Sequence, residues 1–206
     1  MTNSDFNTQL EKQQMISNHL QEVSNKLIEE TENIFNLNDF YIAGGCIYSL
    51  WNNNEPKDYD IFPKTSRAKN AILNYFKKNK RANIITKNAI TYGDGKYQFI
   101  IKYIGRPEIE VAKFDFKHNM FWFDNTGLHN MVSWDYLDGN KLEFNSIRSR
   151  DILNIITRIP KFTNRGMEIS QAEILSIIES GTRPTRILKE RAYIKSRMKS
   201  NRGEGY

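Results

Sequence analysis

The period of the apolar positions changes several times along this chain, and each change predicts an element. Ile16, Leu20, Val23, Leu27 and Ile34 recur at steps of three, four or seven in an otherwise polar stretch. That spacing predicts one apolar stripe on a long amphipathic helix, with Asn36, Asn38 and Asp39 marking its end. A short strand follows over Phe40–Ala43 and runs into Gly44-Gly45, after which residues 46–51 restart a helix with Trp51 facing the core. The Asn-rich segment 52–57 is built to turn, and Pro56 forces extension ahead of a second strand carrying Asp58, Tyr59, Asp60, Ile61 and Phe62. Residues 66–80 read as a basic amphipathic helix with Ala71, Ile72, Tyr75 and Phe76 inward. Strands are predicted over 84–90 and 97–104, joined through Gly93-Asp94-Gly95. Phe121, Trp122 and Phe123 add an aromatic cluster before a turn at 124–127, and a hairpin over 132–137 and 141–144 turns at Asp138-Gly139-Asn140. From residue 148 onward the pattern is helical. No repeat and no long low-complexity linker interrupts it.

The chemistry sits where the first two strands meet. Side chains alternate across a strand, so Asp58 and Asp60 project to one face while Tyr59 projects to the other. Two carboxylates on one face suit Mg²⁺, a hard cation usually held by one or two carboxylates together with substrate phosphates. Paired cations could steady both the attacking and the leaving oxygen of an in-line phosphoryl displacement. Gly44 and Gly45, lacking Cβ atoms, let backbone amides come close to a triphosphate at the start of a helix, where anions are favoured.

The order of these two pieces, a hydrophobic strand into Gly-Gly and then Asp58-Tyr59-Asp60 on the next strand, resembles the signature of the nucleotidyltransferase superfamily. That superfamily includes DNA polymerase beta, the poly(A) polymerases and the CCA-adding enzymes. The resemblance runs from about Tyr41 to Gly166. It implies an α+β fold in which a small mixed β-sheet palm is flanked by helices and followed by a helical C-terminal region. The domains expected from it are an N-terminal helix over 1–35, a catalytic core over 36–146 and a neck-like helical region with a basic tail over 147–206. It further implies Mg²⁺ or Mn²⁺ held by Asp58, Asp60 and a third carboxylate, with Gly44, Gly45 and Ser49 around the phosphates of an NTP.

Two residues compete for the third position. Asp115 lies in Phe114-Asp115-Phe116-Lys117-His118, similar to an element of small, mostly phage-encoded nucleotidyltransferases. Glu110 lies in Ile109-Glu110-Val111-Ala112-Lys113-Phe114, similar to a segment of bacterial CCA-adding enzymes. On one regular strand the two would face opposite ways. Asp115 is preferred because the glycine and proline ahead of it match the phage-type pattern, and His118 then reads as a residue orienting that carboxylate or as a core histidine. Arg158, Lys161 and Arg165 fall three and four apart, on one helical face if Pro160 is tolerated. They resemble the arginine-rich neck that contacts the incoming nucleotide in CCA-adding enzymes. Those enzymes carry Arg-Asp where this chain has Tyr48-Ser49, and their longer RNA-holding body has no counterpart here, which leaves the acceptor open.

Composition adds direction. A formal net charge of +6 and a pI near 9.3 suit phosphate-bearing partners. The single cysteine, Cys46, excludes an internal disulfide and any multi-cysteine zinc centre, in keeping with a reducing compartment. No apolar run approaches a membrane span and the N-terminus carries no signal pattern. The expectation is a cytoplasmic enzyme of the phage-encoded type that transfers a nucleoside monophosphate from an NTP to an acceptor hydroxyl, an RNA 3′ end first among them. Transfer to a protein or small molecule, and a non-catalytic nucleic-acid-binding or virion component, are the rival expectations.

Overall fold

The structure, a computed structural model, describes residues 3–79, 82–146 and 152–182. Contacts divide the chain into two compact units, Met1–Gly139 and Asn140–Tyr206. The first is built on a mixed sheet of strands β1 (Phe40–Ala43), β2 (Tyr59–Pro63), β3 (Ile84–Ile85), β4 (Ala89–Tyr92), β5 (Tyr97–Ile100), β6 (Phe121–Asp124) and β7 (Gly127–Asn130). Their order across the sheet is β3-β4-β5-β2-β1-β6-β7. Only β2 and β5 run parallel, the other neighbours being antiparallel.

Helix α1 (Asn3–Glu30) buries Ile16, Leu20 and Leu27 completely, as the stripe predicts. It stops well before Asn36, because Glu32 and Asn33 take left-handed backbone conformations and the Asn33 amide reaches back to the Ile28 carbonyl. Ile34 therefore lies beyond the helix, half-buried against the core. Helix α3 (Ser66–Asn79) buries Ala68, Ile72, Tyr75 and Phe76. Ala68 thus takes the inward position that the sequence pattern gave to Ala71, one turn off. Phe35, Phe40, Phe76 and Phe99 meet with ring centroids 5.3 to 6.2 Å apart. Each of these four rings is inaccessible to solvent, which is worth about 1.5–3 kcal/mol apiece.

Three predicted strands differ in the structure. The run 84–90 breaks at Thr86, whose hydroxyl accepts from the amides of Asn88 and Ala89 and turns the chain back on itself. Residues 132–137 do not pair. Ser133 caps a 3₁₀ turn over Trp134–Leu137, and Trp134 stacks on Trp51 at 5.6 Å and 12°. The partner segment 141–144 forms no hairpin with it either, and Lys141 instead bridges to Glu168 within the second unit. The stretch around Glu110 is a short helix, α4 (Pro107–Val111), with Pro107 at its first turn and Arg106 extended ahead of it. The strand-parity contrast between Glu110 and Asp115 accordingly does not apply.

In the second unit, α5 (Ile152–Thr163) packs on α6 (Gln171–Thr182), with Ile155, Phe162 and Ile177 buried. The tail beyond residue 182 lies outside the described residues. Among the described residues no helix is long and apolar enough to cross a membrane.

Candidate nucleotide and metal site

Strand β1 ends at Gly44, whose backbone sits at φ 95° and ψ −145°. That conformation is essentially closed to residues with a Cβ, and it swings the chain directly into helix α2 (Gly45–Trp51). Strand β2 runs alongside, and Ala43 lies opposite Asp60. A Cβ on Gly44 would stand 3.7 Å from Asp60 Oδ2 and 3.9 Å from the Phe114 ring. The bend and the second aspartate are therefore neighbours in space.

Asp58 is placed by the other neighbour of β2. Gln98 on β5 is opposite Asp60 in the parallel register, and its Nε2 donates to Asp58 Oδ2 at 2.9 Å. In-register side chains share a face, so Asp58, Asp60 and Gln98 stand on the same side of the sheet. Tyr59 and Ile61 point the other way into the core, at 1% and 0% exposure. Tyr59 is held there by a 2.7 Å contact between its hydroxyl and His19 Nε2. Cys46, in the first turn of α2, is buried, and its thiol is pushed well up by that burial and, next, by the carboxylates of Asp60 and Asp58. The thiol is therefore protonated and inert. Its Sγ points back to the Ala43 carbonyl at 3.9 Å.

Ser49 is one helical turn beyond Gly45, on the same face of α2 and partly exposed. Tyr48, the preceding residue, is committed elsewhere: its ring meets the edge of His118 at 5.1 Å and its hydroxyl donates to the Gly139 carbonyl at 2.7 Å. His118 is 2% exposed, and burial holds its imidazole down to a pKa of about 3, so it is neutral at physiological pH. It is a core histidine.

The two candidates for a third carboxylate differ in surroundings. Glu110 pairs with Lys113 and presses on Gly105, where a Cβ would come within 3.0 Å of its Oε1. Its charge, after burial, helps push the Tyr41 phenol up. Asp115 is 5% exposed and follows Phe114, the residue whose ring borders Gly44. Among the described residues no three His, Cys, Asp or Glu side chains gather closely enough to hold an ion. The Asp58/Asp60 pair nevertheless fits Mg²⁺ or Mn²⁺ of the kind that completes its shell with substrate phosphates and water.

Arg158 and Lys161 are exposed on α5, which tolerates Pro160 in its interior. Arg165 falls past the end of that helix, in the turn leading to Gly166 at φ 87°. The three residues therefore do not form one helical row, and all of them belong to the second unit. Sequence reasoning passed over Gln98, Phe114 and Asn119, because each is brought to the bend by pairing or packing that no local motif encodes.

The fold is similar to that of solved CCA-adding enzymes. The structure is similar to the Thermotoga maritima CCA-adding enzyme complexed with tRNA, with a TM-score of 0.54 and 14% identity, over 75% of this chain and 42% of that one. It is likewise similar to the Bacillus stearothermophilus CCA-adding enzyme in complex with CTP, with a TM-score of 0.53 and 15% identity, over 68% of this chain and 39% of that one. At these identities the likeness speaks for the fold. A family model described as "Gabija anti-defense 2 family protein" matches residues 14–139, and the chain belongs to that family. It is 28% identical over 162 residues to "Gabija anti-defense 2" of Bacillus phage SPbetaL7, covering 73% of this chain. The chain spans 39% of that relative's length.

Proposed function

We propose that this protein is a metal-dependent nucleotidyltransferase that moves a nucleoside monophosphate from an NTP to an acceptor hydroxyl. The carrying observation is the pair of carboxylates, Asp58 and Asp60, standing on one face of the sheet beside the Gly44 bend. In the reaction an oxygen of the acceptor bonds to the α-phosphorus, the bond from that phosphorus to the bridging oxygen breaks, and pyrophosphate leaves with the electron pair. Asp58 and Asp60 would hold Mg²⁺ or Mn²⁺, which when bound neutralises the phosphate charge that builds up in the transition state. Gly44 and Gly45 bring backbone close to the phosphates, and Ser49 offers a hydroxyl donor from the same helix face. Asp115 takes the proton of the acceptor hydroxyl, with Glu110 as its rival for that role. Arg158, Lys161 and Arg165 supply cationic contacts to nucleotide or RNA.

An RNA 3′ end is the first acceptor to test, on the strength of the basic charge balance and of the tRNA partner of a structural neighbour. Membership of an anti-defense family favours a second reading, in which the acceptor is a component of the Gabija defense and the protein acts in the host cytoplasm. Incubation with each α-labelled NTP, Mg²⁺ or Mn²⁺ and total RNA, and then with purified defense proteins in place of RNA, separates the two. Label on RNA supports the first and label only on protein the second. No transfer to either, together with undiminished anti-defense activity of Asp58→Asn/Asp60→Asn, would leave a non-catalytic role and overturn the proposal.

A further inference from the structure

The two aspartates beside the glycine bend are held in different ways. Asp60 lies inside the sheet, paired with Ala43 of β1 on one side and with Gln98 of β5 on the other. Asp58 stands one residue ahead of β2, where the ladder has not yet begun. The Tyr59 amide ties the start of that strand to the Lys96 carbonyl at 2.8 Å. Among the described residues the one hydrogen bond to the Asp58 side chain comes from Gln98, whose Nε2 reaches Oδ2 at 2.9 Å. Gln98 is partly exposed, while Tyr97 and Phe99 on either side of it are buried in the core. Its side chain is therefore not needed to fill the interior.

An amide in this place does two things that an ionised carboxylate cannot. It donates a hydrogen bond to Asp58, which engages Oδ2 and leaves Oδ1 for a cation. It also brings no charge. Ala43 and Gln98, the two neighbours of Asp60, are both neutral, and the Lys96 ammonium is engaged by Glu55 at 2.8 Å. Strands β5, β2 and β1 thus set the charges of Asp58 and Asp60 alone on this face, which together balance a single divalent ion. Hard cations of this kind draw their remaining ligands from substrate phosphates and water. Resting on the nucleotide reading above, we infer that Gln98 is a positioning residue: its amide orients the Asp58 carboxylate for a cation that arrives as the metal–nucleotide chelate, and its neutrality keeps the two aspartates from holding that ion tightly without phosphates. Carboxylates that ligate metals commonly rely on such a hydrogen-bonded partner. A carboxylate at this position would exchange the bond for a third charge and favour the bare ion.

The test is calorimetric titration of the full chain with Mn²⁺ alone and with ATP, CTP, GTP and UTP as their preformed Mn²⁺ chelates. Wild type is expected to take up at least one chelate and to hold Mn²⁺ alone at least about 10-fold more weakly. Gln98→Met, of similar length but with no donor, should weaken that chelate on the order of 10–100-fold. Gln98→Glu should move the other way for the bare ion, tightening Mn²⁺ alone roughly 10-fold as a third charge joins the two. Gln98→Asn, whose amide is one methylene too short to reach Asp58, takes the place of the methionine variant if that one does not fold. A purely structural role for Gln98 would shift urea midpoints and leave both affinities where they were, which overturns the assignment while the nucleotide reading stands. So does a Gln98→Glu protein that binds Mn²⁺ alone no more tightly than wild type, or a wild type that holds Mn²⁺ alone as tightly as the chelate. A wild-type protein that binds no chelate refutes the nucleotide reading itself, and the assignment with it.

Discussion

Substituting the two glycines one at a time separates what the bend does for the fold from what it does for a ligand. Gly44 occupies φ 95° and ψ −145°, a region where a residue with a Cβ is strained by about 1–3 kcal/mol. The added methyl group itself would meet Asp60 Oδ2 at 3.7 Å and Phe114 at 3.9 Å, ordinary contacts, so the whole penalty of Gly44→Ala is in the backbone. Gly45 is helical, and its added methyl would lie 3.7 Å from Asn119 Oδ1. Gly45→Ala should therefore be neutral or stabilise the fold by up to about 0.5–1 kcal/mol. Both methyl groups nonetheless occupy space next to the carboxylate and carboxamide oxygens, so both variants should lose nucleotide binding. All three tryptophans, Trp51, Trp122 and Trp134, lie in the first unit, and urea unfolding followed by their fluorescence reports that unit alone. With urea slopes of about 1–3 kcal/mol per molar, the Gly44→Ala midpoint should fall by roughly 1 M and the Gly45→Ala midpoint should hold or rise. A Gly44→Ala midpoint equal to wild type would refute the backbone argument. A Gly45→Ala protein with full nucleotide affinity would refute the cradle.

Other groups give sharper readouts of burial and charge. Burial alone would raise the Asp124 carboxyl, but the Thr126 hydroxyl and amide and the Lys64 ammonium outweigh it and hold it below the usual range. Its stabilisation is thus complete above about pH 4 and lost as pH falls through the lower folded value, and Asp124→Asn should cost about 1.5–3 kcal/mol at pH 7 while flattening the acid limb of a denaturation profile; a parallel profile would refute this. His118 binds no proton in the folded state until about pH 3, whereas the unfolded chain binds one below about pH 6.5. Stability should therefore decline by up to about 1.4 kcal/mol per pH unit on acidifying across that window, and His118→Gln should remove this component, as measured by urea titrations at pH 7.5 and 4.5. Cys46, buried with its thiol raised by burial and by Asp60, should resist iodoacetamide at pH 8 in the native protein and react once urea is added; labelling of the native protein seen by mass spectrometry would place the thiol elsewhere.

What could be read from residues alone was what local stereochemistry decides. The strand Phe40–Ala43, the glycine bend, the helix after it and the Asp58-Tyr59-Asp60 alternation each follow from a few consecutive residues, and the structure has them in place. Where distant contacts decide, the reading missed. Trp134 belongs to a 3₁₀ turn because Trp51 offers a ring to stack on and Ser133 offers a cap. Residues 107–111 have strand-like composition, yet Pro107 at the first turn, with Glu108 and Glu110 close behind it, starts a helix. Arg165 was placed in a helical row that ends at Thr163, where Asn164 and Gly166 turn the chain. Gln98 could not have been found at all from spacing, since it meets Asp58 only through the parallel pairing of β5 with β2.

That pairing also shows why the site and the core are one constraint. Along β2 and the residue just ahead of it, the side chains that could serve a ligand, Asp58 and Asp60, alternate with Tyr59 and Ile61, which are sealed in the main core on the opposite face. A one-residue slip of β2 against β1 or β5 would drive the carboxylates into that core and expose an aromatic and a branched aliphatic side chain, so the apolar face sets the register. The same register puts Asp60 opposite Ala43, the last residue before Gly44, and beside Gln98. Packing on the hidden side of the sheet thus positions the carboxylates against the bend. The likeness of fold to the CCA-adding enzymes at only 14–15% identity is in keeping with a register set by alternation rather than by particular apolar side chains. Any apolar side chains that fill that face would enforce the same alternation.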